Sequence, residues 1–256
     1  MNTKREVVYS ATHRAEIEDY PIGDVDRDLV FLRLFEEARQ YTMTSKEVMF
    51  STYQAARYVA QRGIKGDVVE CGVWRGGSSL LAALTMREFA SVAPRPWFEF
   101  NLGKHRRFWM YDTFEGMTPP SSRDVDVDGV EASHYIKTYA EDGKWCYADQ
   151  FDVEQIFRSR GFGERDFKLV KGDVVETLKM ETPKTISLLR LDTDWYESTK
   201  VELEVLYPLL SKGGVLIIDD YGHWEGSREA VDEFFGRNPS ILLHRVSYAV
   251  RVGIKI

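Results

Sequence analysis

The sequence predicts an α/β domain in which a mostly parallel sheet carries helices on both faces and ends in an antiparallel hairpin. Two observations predict this class. Short β-rich runs alternate with segments of helical spacing between residues 67 and 220, as in successive βαβ units. The last two β-rich runs, 241–246 and 249–256, are separated by only two residues, which is too short for a crossover helix. That final pair must therefore be an antiparallel hairpin.

Two amphipathic helices are predicted before the first strand. The first runs from Asp26 to Gln40 and carries apolar residues at helical spacing, namely Val30, Phe31, Leu34, Phe35 and Ala38. The second runs from Lys46 to Arg62, and we expect Thr44 to cap its start and Gly63 to end it. We therefore assign residues 1–63 to an N-terminal helical extension and residues 64–256 to the main domain.

The parallel part of the main domain is expected to contain five strands. Their predicted ranges are 67–72, 107–112, 166–172, 186–192 and 214–220. The helix between the last two strands is predicted to turn Val201, Val205 and Leu209 towards the sheet. Residues 92–107 have the composition of a loop insertion, and we interpret residues 117–149 as a lid insertion over the site.

Composition argues against several classes of function. Acidic residues number 41 against 34 basic ones, and a formal charge of −7 disfavours binding to a nucleic-acid backbone. The longest apolar runs, such as 215–218, fall far short of the roughly 20 residues that cross a bilayer. The N-terminus lacks the apolar segment of a secretory signal, so we expect a cytoplasmic protein. Cys71 and Cys146 are then expected to be free thiols.

A glycine-rich turn, ECGVWRGGSS at 70–79, follows the first strand and opens a helix. Gly72, Gly76 and Gly77 lack side chains where a ligand would approach, and Glu70 places a carboxylate at the strand tip. Ligands of open α/β sheets bind beyond the carboxyl ends of the strands, so the turn is a candidate binding site. It lacks the Gly-Lys-Ser/Thr ending of a phosphate-binding P-loop. The alternative is a tight turn whose glycines serve packing alone.

Asp112 ends the second strand, in YDTFEGM at 111–117. An acidic side chain in this position, after a glycine-rich turn, is the arrangement that accepts hydrogen bonds from ribose hydroxyls. Asp112 lies 40 residues beyond Gly72 instead of about 20, and the loop insertion at 92–107 explains the excess. We therefore predict a ligand that contains ribose.

Three carboxylates are predicted to converge where the last two parallel strands end. Asp192 ends one strand, and Asp219 and Asp220 end the next. Adjacent parallel strands lie about 5 Å apart, so unneutralised carboxylates there would repel one another. Oxygen ligands suit a hard cation such as Mg²⁺, which we predict to bind these three residues. Asp194 is a further ligand, a base or a helix-start acid, and the alternative for the whole group is a set of exposed N-caps.

Four motifs in this order resemble the macrocin O-methyltransferase family, over roughly residues 41–236: ECGVWRGGSS, YDTFEG, LRLDTDWYEST and GGVLIIDDYG. The resemblance implies the Rossmann-like fold of S-adenosylmethionine-dependent methyltransferases, with a seven-stranded, mostly parallel sheet and an antiparallel C-terminal strand. It also implies metal-dependent methylation of a sugar hydroxyl. The implied acceptor is a sugar or a glycosylated natural product. We expect a homo-oligomer with neither nucleic acid nor membrane as partner.

The same resemblance assigns roles to individual residues. It implies S-adenosylmethionine binding by Glu70, Gly72, Gly76, Ser78 and Asp112, with Asp173 near the adenine. It implies Mg²⁺ ligation by Asp192, Asp219 and Asp220, and Asp194 as the general base, for which His223 is a rival.

Three other functions remain open from the sequence. The Asp192-Thr193-Asp194 motif also occurs in metal-dependent glycosyltransferases that bind nucleotide sugars. A metal-dependent methyltransferase could instead act on a catechol or another vicinal diol. A binding module without catalysis would keep the fold but would be favoured only if metal ligands were missing.

Overall fold

Seven strands form one sheet in the computed structural model, which describes residues 23–89, 106–140, 144–237 and 241–256. The strands are β1 (Asp67–Cys71), β2 (Phe108–Asp112), β3 (Phe167–Lys171), β4 (Ile186–Leu191), β5 (Leu210–Ile218), β6 (His244–Arg245) and β7 (Arg251–Ile254). Three predicted segments lie wholly or partly outside the described residues: the start of the extension (1–22), most of the loop at 92–107, and 141–143 of the lid.

The order of strands across the sheet is β3-β2-β1-β4-β5-β7-β6. The first five are parallel, whereas β7 pairs antiparallel with β5 and β6 pairs antiparallel with β7. The predicted fold class is therefore confirmed, and the C-terminal hairpin lies where the sequence placed it, with its last strand beside β5. Strands β2 and β3 lie on one side of β1 and the later strands lie on the other, so the order of strands changes direction between β1 and β4, and the carboxyl ends of these two parallel strands meet there.

Eight α-helices lie within the described residues. They are α1 (Leu29–Ala38), α2 (Lys46–Arg62), α3 (Gly77–Phe89), α4 (Ala132–Tyr139), α5 (Gln150–Ser159), α6 (Val174–Met180), α7 (Tyr196–Leu206) and α8 (Glu225–Arg237). The first helix begins later than expected because the carboxylate of Asp28 accepts from the Phe31 N–H at 2.9 Å. Ser45 caps α2 instead of Thr44, since the Ser45 hydroxyl accepts from the Val48 N–H. Gly63 ends α2 in the left-handed conformation, as predicted.

Alternate residues of each strand point to opposite faces of the sheet, and each face has its own apolar core. Helices α1, α2, α3 and α5 pack on the face that contains Val68, Met110 and Leu188. Helices α6, α7 and α8 pack on the face that contains Val69 and Leu189. The N-terminal helices thus share a core with the sheet, while the boundary drawn after residue 63 stays a prediction.

The buried face of α7 is wider than predicted. Val201, Val205 and Leu209 are half-buried and pack against the core on this face of the sheet, although Leu209 lies in a 3-10 turn after the helix. Other side chains of α7 are more deeply buried, among them those of Thr199, Glu202, Leu203 and Leu206. The sequence pattern missed part of this face because it counts apolar residues, and the face includes a carboxylic acid. None of the helices in the described part of the chain is both long enough and apolar enough to span a membrane.

Candidate active site

Four carboxylic acids gather at the tips of β4 and β5. The strands are adjacent and parallel, and the N–H of Asp219 donates to the carbonyl oxygen of Leu191 at 2.9 Å. Asp192, Asp194 and Asp220 each offer a carboxylate oxygen, and these oxygens lie within 4.8 Å of one another. Asp194 belongs to this group because its backbone takes a left-handed conformation (φ 68°), which turns the chain directly after the strand.

Asp219 lies beside Asp192 but outside the group of three closely spaced oxygens. The sequence predicted Asp219 beside Asp192 and Asp220 as a cation ligand. In the structure, one oxygen of Asp219 accepts from the guanidinium of Arg190 at 2.7 Å, and its carboxyl group also contacts that of Asp192. The structure thus places Asp219 next to the group of three oxygens and Asp194 within it. The ligand set itself stays a prediction.

Burial and mutual repulsion make these acids hard to ionise. Burial, followed by the charge of Asp192, raises the pKa of Asp194 to about 7. Burial also raises the pKa of Asp219 to about 8, although the charge of Arg190 opposes the change. The pKa of Asp220 lies well above its ordinary value because of burial and the charges of the other three acids. The group therefore favours binding of a positive charge.

Arg190 lies beneath these acids, and our sequence reasoning missed it. Its side chain is 4% exposed and donates hydrogen bonds to carboxylates at the tips of three neighbouring strands. These are Glu70 of β1 at 2.9 Å, Asp192 after β4, and Asp219 after β5. A signal was present, because period-two alternation places an arginine inside an apolar strand on the same face as Asp192. A buried charge in such a strand requires charged partners.

The glycines of the predicted binding turn are explained by protein contacts. A Cβ atom on Gly72 would lie 1.7 Å from the carbonyl oxygen of Asp192, and the φ of Gly72 is +79°. A Cβ atom on Gly76 would contact Val153, and one on Gly77 would lie 2.6 Å from the carbonyl oxygen of Tyr41. The space that the missing side chains leave is thus filled by chain from β4, α5 and the segment before α2. Packing alone accounts for these glycines, and their predicted contact with a cofactor stays a prediction.

Asp112 ties the tip of β2 to this same turn. One carboxylate oxygen accepts from the N–H groups of Val73 and Trp74 at 2.7 and 2.8 Å. The other accepts from the N–H of Phe114 at 2.7 Å. Burial raises the pKa of Asp112, and these three backbone bonds oppose that change. Asp112 is half-buried beside the glycine turn, which is where the sequence predicted a ribose contact.

The other predicted cofactor residues have separate environments. Glu70 is buried and bonded to Arg190 and Ser79, and burial raises its pKa to about 7. The hydroxyl of Ser78 points to the sulfur of Met49 in α2, 3.6 Å away. Asp173 is exposed and caps α6 by accepting from the N–H of Val175. Their roles towards a cofactor stay predictions.

A second buried acid supports the loop between Asp192 and Asp194. Glu202 of α7 is fully buried and accepts from the hydroxyl of Thr193 at 2.9 Å, with the thiol of Cys71 beside it. Burial raises the pKa of Glu202 to about 8, which favours its protonated form at neutral pH. No sequence signal marked Glu202, because its helix contains several glutamates and nothing in their spacing sets Glu202 apart.

The predicted lid is fixed to the sheet side of the site by two buried aspartates. The carboxylate of Asp124 accepts from the N–H of Tyr196 at 2.8 Å, and the backbone of Asp126 forms an antiparallel β-bridge with Trp224. The indole of Trp195 donates to the carbonyl oxygen of Thr118 at 3.0 Å. Further along the lid, the pKa of Cys146 is raised by burial and then by the charge of Asp194, so this thiol lies near the acids. The described lid therefore forms a wall of the site.

His223 was the rival candidate for the general base. Its Nδ1 lies 3.3 Å from the hydroxyl of Tyr248, and its ring packs against Trp224. Burial lowers its pKa, and the charges that act on it are those of Asp126 and Asp128. The geometry therefore places His223 with the lid, whereas Asp194 lies within the carboxylate group.

Comparison with known proteins agrees with this arrangement of strands. The model of the family described as macrocin-O-methyltransferase matches residues 6–241. A relative from Streptomyces olivaceus, 8-demethyl-8-(2,3-dimethoxy-alpha-L-rhamnosyl)-tetracenomycin-C 4′-O-methyltransferase, is 30% identical over 84% of this chain and 75% of its own. Demethyldecarbamoylnovobiocin O-methyltransferase from Streptomyces niveus is 28% identical over 77% of this chain and 68% of its own.

Among solved structures, the O-methyltransferase NovP superposes with a TM-score of 0.67 at 26% identity, covering 84% of this chain and 82% of NovP. The sequence match spans most of the chain, including the strand tips that carry Glu70, Asp112, Asp192 and Asp219. The chain belongs to the macrocin-O-methyltransferase family and is an O-methyltransferase.

Proposed function

We propose that this O-methyltransferase transfers the methyl group of S-adenosylmethionine to a hydroxyl of a sugar or of a glycosylated natural product, with Mg²⁺ as cofactor. The observation that carries the proposal is the convergence of Asp192, Asp194 and Asp220 at the tips of adjacent strands. The name of the S. olivaceus relative, which contains a rhamnosyl group and a 4′-O-methyltransferase activity, supports a sugar acceptor.

The donor set fits a hard divalent cation. Two of the proposed ligands, Asp192 and Asp220, offer carboxylate oxygens within 4.8 Å of each other and of Asp194, and Mg²⁺ prefers oxygen ligands. Burial, followed by the charges of neighbouring acids, raises the pKa values of Asp219 and Asp220, and a bound cation would offset both effects. A bound divalent cation would supply the positive charge that stabilises the alkoxide form of an acceptor hydroxyl.

Two possible ligand sets share Asp192 and Asp220. The sequence adds Asp219 as the third ligand, whereas the spacing of oxygens adds Asp194. We assign Asp219 to the ligand set because Arg190 already fixes one of its oxygens beside Asp192. Asp194 lies on the loop beyond the strand, and it has a larger charge effect on Cys146 of the lid than the other acids do. This position suits the residue that takes the proton of the acceptor hydroxyl.

The cofactor is assigned to the tips of β1 and β2, as the sequence predicted. Asp112 would accept from the ribose hydroxyls, and the turn at 72–77 would pass beside the methionine part, with Glu70, Gly72, Gly76 and Ser78 at its strand and helix ends. Asp173 would lie near the adenine. The short distance between the tips of β1 and β4 supports this placement, because a cofactor bound there would lie beside the acids that would orient the acceptor.

The experiment is a methyl-transfer assay with a panel of rhamnosides and other glycosides, analysed by mass spectrometry. We expect a product that has gained one methyl group when S-adenosylmethionine and Mg²⁺ are both present, and no product in excess EDTA. Asp192→Asn and Asp220→Asn should lose Mn²⁺ binding in calorimetry while retaining S-adenosylhomocysteine binding. Full activity in EDTA would contradict the cation, and transfer to catechols in preference to glycosides would contradict the acceptor.

Membership of the methyltransferase family sets aside the glycosyltransferase alternative that the Asp192-Thr193-Asp194 motif left open. A catechol or another vicinal diol remains as the second acceptor class, and the assay includes it for this reason. The homo-oligomer stays a prediction.

A further inference from the structure

Arg190 links the part of the site assigned to the cofactor with the part assigned to the cation. One terminal nitrogen donates to Glu70 at 2.9 Å and also to Asp192, and the other donates to Asp219 at 2.7 Å. In the sheet, Arg190 lies directly opposite Glu70 in the β1–β4 register. A single side chain therefore contacts acids at the ends of three strands that are adjacent in the sheet, β1, β4 and β5.

This arrangement is costly for the fold. Arg190 is buried, and its Nε has no hydrogen-bond partner among the described residues. Removing a guanidinium and several carboxylates from water carries a desolvation penalty that a packed apolar residue would avoid. An apolar side chain would fill this place in the sheet at a lower cost, which points to a role for Arg190 in what its acidic partners do.

We propose that Arg190 is a positioning residue that holds Asp192 and Asp219 in the orientation needed to bind the cation, an inference that rests on the proposed function. Arg190 contacts Oδ2 of Asp192 and Oδ1 of Asp219, so the other oxygen of each carboxylate is not engaged by Arg190 and is the one that would bind the cation. The planar guanidinium fixes both carboxylates at once because its N–H groups point in set directions. A lysine provides the same charge without this geometry.

Glu70 is the anchor of Arg190 on the side away from the cation. Its other oxygen accepts from the hydroxyl of Ser79, in the first turn of α3. The position of the guanidinium is thereby tied to the turn between β1 and α3. Changing Glu70 should disturb the cation site even though Glu70 belongs to the cofactor side.

Positioning and simple electrostatics predict opposite results when the charge of Arg190 is removed. If Arg190 acted only through its positive charge, it would repel the cation, and Arg190→Met would bind Mn²⁺ more tightly. If Arg190 orients the ligands, both Arg190→Met and Arg190→Lys should bind Mn²⁺ about 10- to 100-fold more weakly, as is usual when an outer partner of metal ligands is lost.

The test is the dissociation constant of Mn²⁺ alone, measured by calorimetry and by electron paramagnetic resonance, for wild type, Arg190→Lys, Arg190→Met and Glu70→Gln. Arg158→Lys is the matched control, because Arg158 forms an ion pair with Glu154 on the exposed side of α5. Circular dichroism and thermal unfolding identify the variants that fold. S-Adenosylhomocysteine binding is measured in parallel.

We expect weaker Mn²⁺ binding in both Arg190 variants and in Glu70→Gln, and wild-type binding in Arg158→Lys. The proposal is overturned by an Arg190→Met variant that binds Mn²⁺ at least as tightly as wild type does. If the Arg190 variants do not fold, Glu70→Gln decides, and unchanged Mn²⁺ affinity there also overturns it. Wild-type protein that binds S-adenosylhomocysteine but no Mn²⁺ contradicts the cation site of the proposed function, and the positioning role with it.

Discussion

Gly72 and Asp192 are in such close contact that a Cβ atom on Gly72 would lie 1.7 Å from the carbonyl oxygen of Asp192. The same two segments are joined by a backbone hydrogen bond of 2.9 Å from the N–H of Asp192 to the carbonyl oxygen of Cys71. The turn assigned to the cofactor and the first acid assigned to the cation are thus adjacent at the point where β1 meets β4. A methyl donor and an acceptor bound on either side would face each other there.

Gly72→Ala should therefore damage the site far more than an ordinary glycine substitution does. The alanine meets both a left-handed backbone and the backbone of Asp192, and we expect a loss of more than about 3 kcal/mol in the free energy of unfolding. Gly129→Ala is the control, because Gly129 has a similar φ of +81° but open space around it. Chemical denaturation measures both variants. Equal losses would show that strain alone, and not the contact with Asp192, explains Gly72.

Asp194→Asn and Asp219→Asn should separate the base from the cation ligands. We expect Asp194→Asn to keep Mn²⁺ affinity close to that of wild type and to lower kcat about 10²- to 10⁴-fold, because the proton acceptor is lost. Asp219→Asn should instead weaken Mn²⁺ binding. Calorimetry and steady-state kinetics give the two quantities. The reverse pattern would make Asp194 the third ligand and would contradict our assignment.

Asp112→Ala should weaken S-adenosylhomocysteine binding by about 1–3 kcal/mol, the usual cost of a lost charged hydrogen bond. It also leaves the N–H groups of Val73, Trp74 and Phe114 without their acceptor, so the turn should loosen. Asp149→Ala is the comparison variant, because this exposed cap of α5 has no assigned cofactor contact and should cost only about 1 kcal/mol of stability. Unchanged affinity of Asp112→Ala in calorimetry would exclude the ribose contact.

Glu202→Gln should change how stability depends on pH. The pKa of Glu202 is raised from 4.5 to about 8 by burial, so the folded state keeps a proton that the unfolded state releases. The contribution of Glu202 to stability is therefore complete below pH 4.5 and is lost as the pH rises to about 8. The wild type should lose up to about 1.4 kcal/mol per pH unit in that window from this group, and Glu202→Gln should not.

Urea unfolding of wild type and Glu202→Gln at several pH values between 5 and 8 measures this difference. Glu204→Gln is the matched control, because Glu204 is exposed on the same helix. Parallel pH profiles for wild type and Glu202→Gln would mean that Glu202 ionises normally in the folded protein.

The sequence by itself determined the order of strands and helices. The five parallel strands and the C-terminal hairpin follow from short-range hydrophobic patterns and from connection lengths, which act within a few residues of one another. The same logic placed Asp112, Asp192 and Asp219 at strand tips, because an acid that ends an apolar run in a parallel sheet falls at the carboxyl edge. The sequence did not distinguish between neighbouring capping residues: Ser45 caps α2 where Thr44 was predicted, because backbone geometry decides which hydroxyl reaches the free N–H group.

Only the tertiary structure decided which of these acids meet and what lies between them. Asp194 joins Asp192 and Asp220 through a left-handed backbone angle, and Asp219 is held by an arginine from a neighbouring strand. Gly72 is required by the carbonyl of Asp192, which is 120 residues away in the chain. These relations depend on the register between strands and on which side chains are buried together. Both are set by contacts between segments that are distant in sequence.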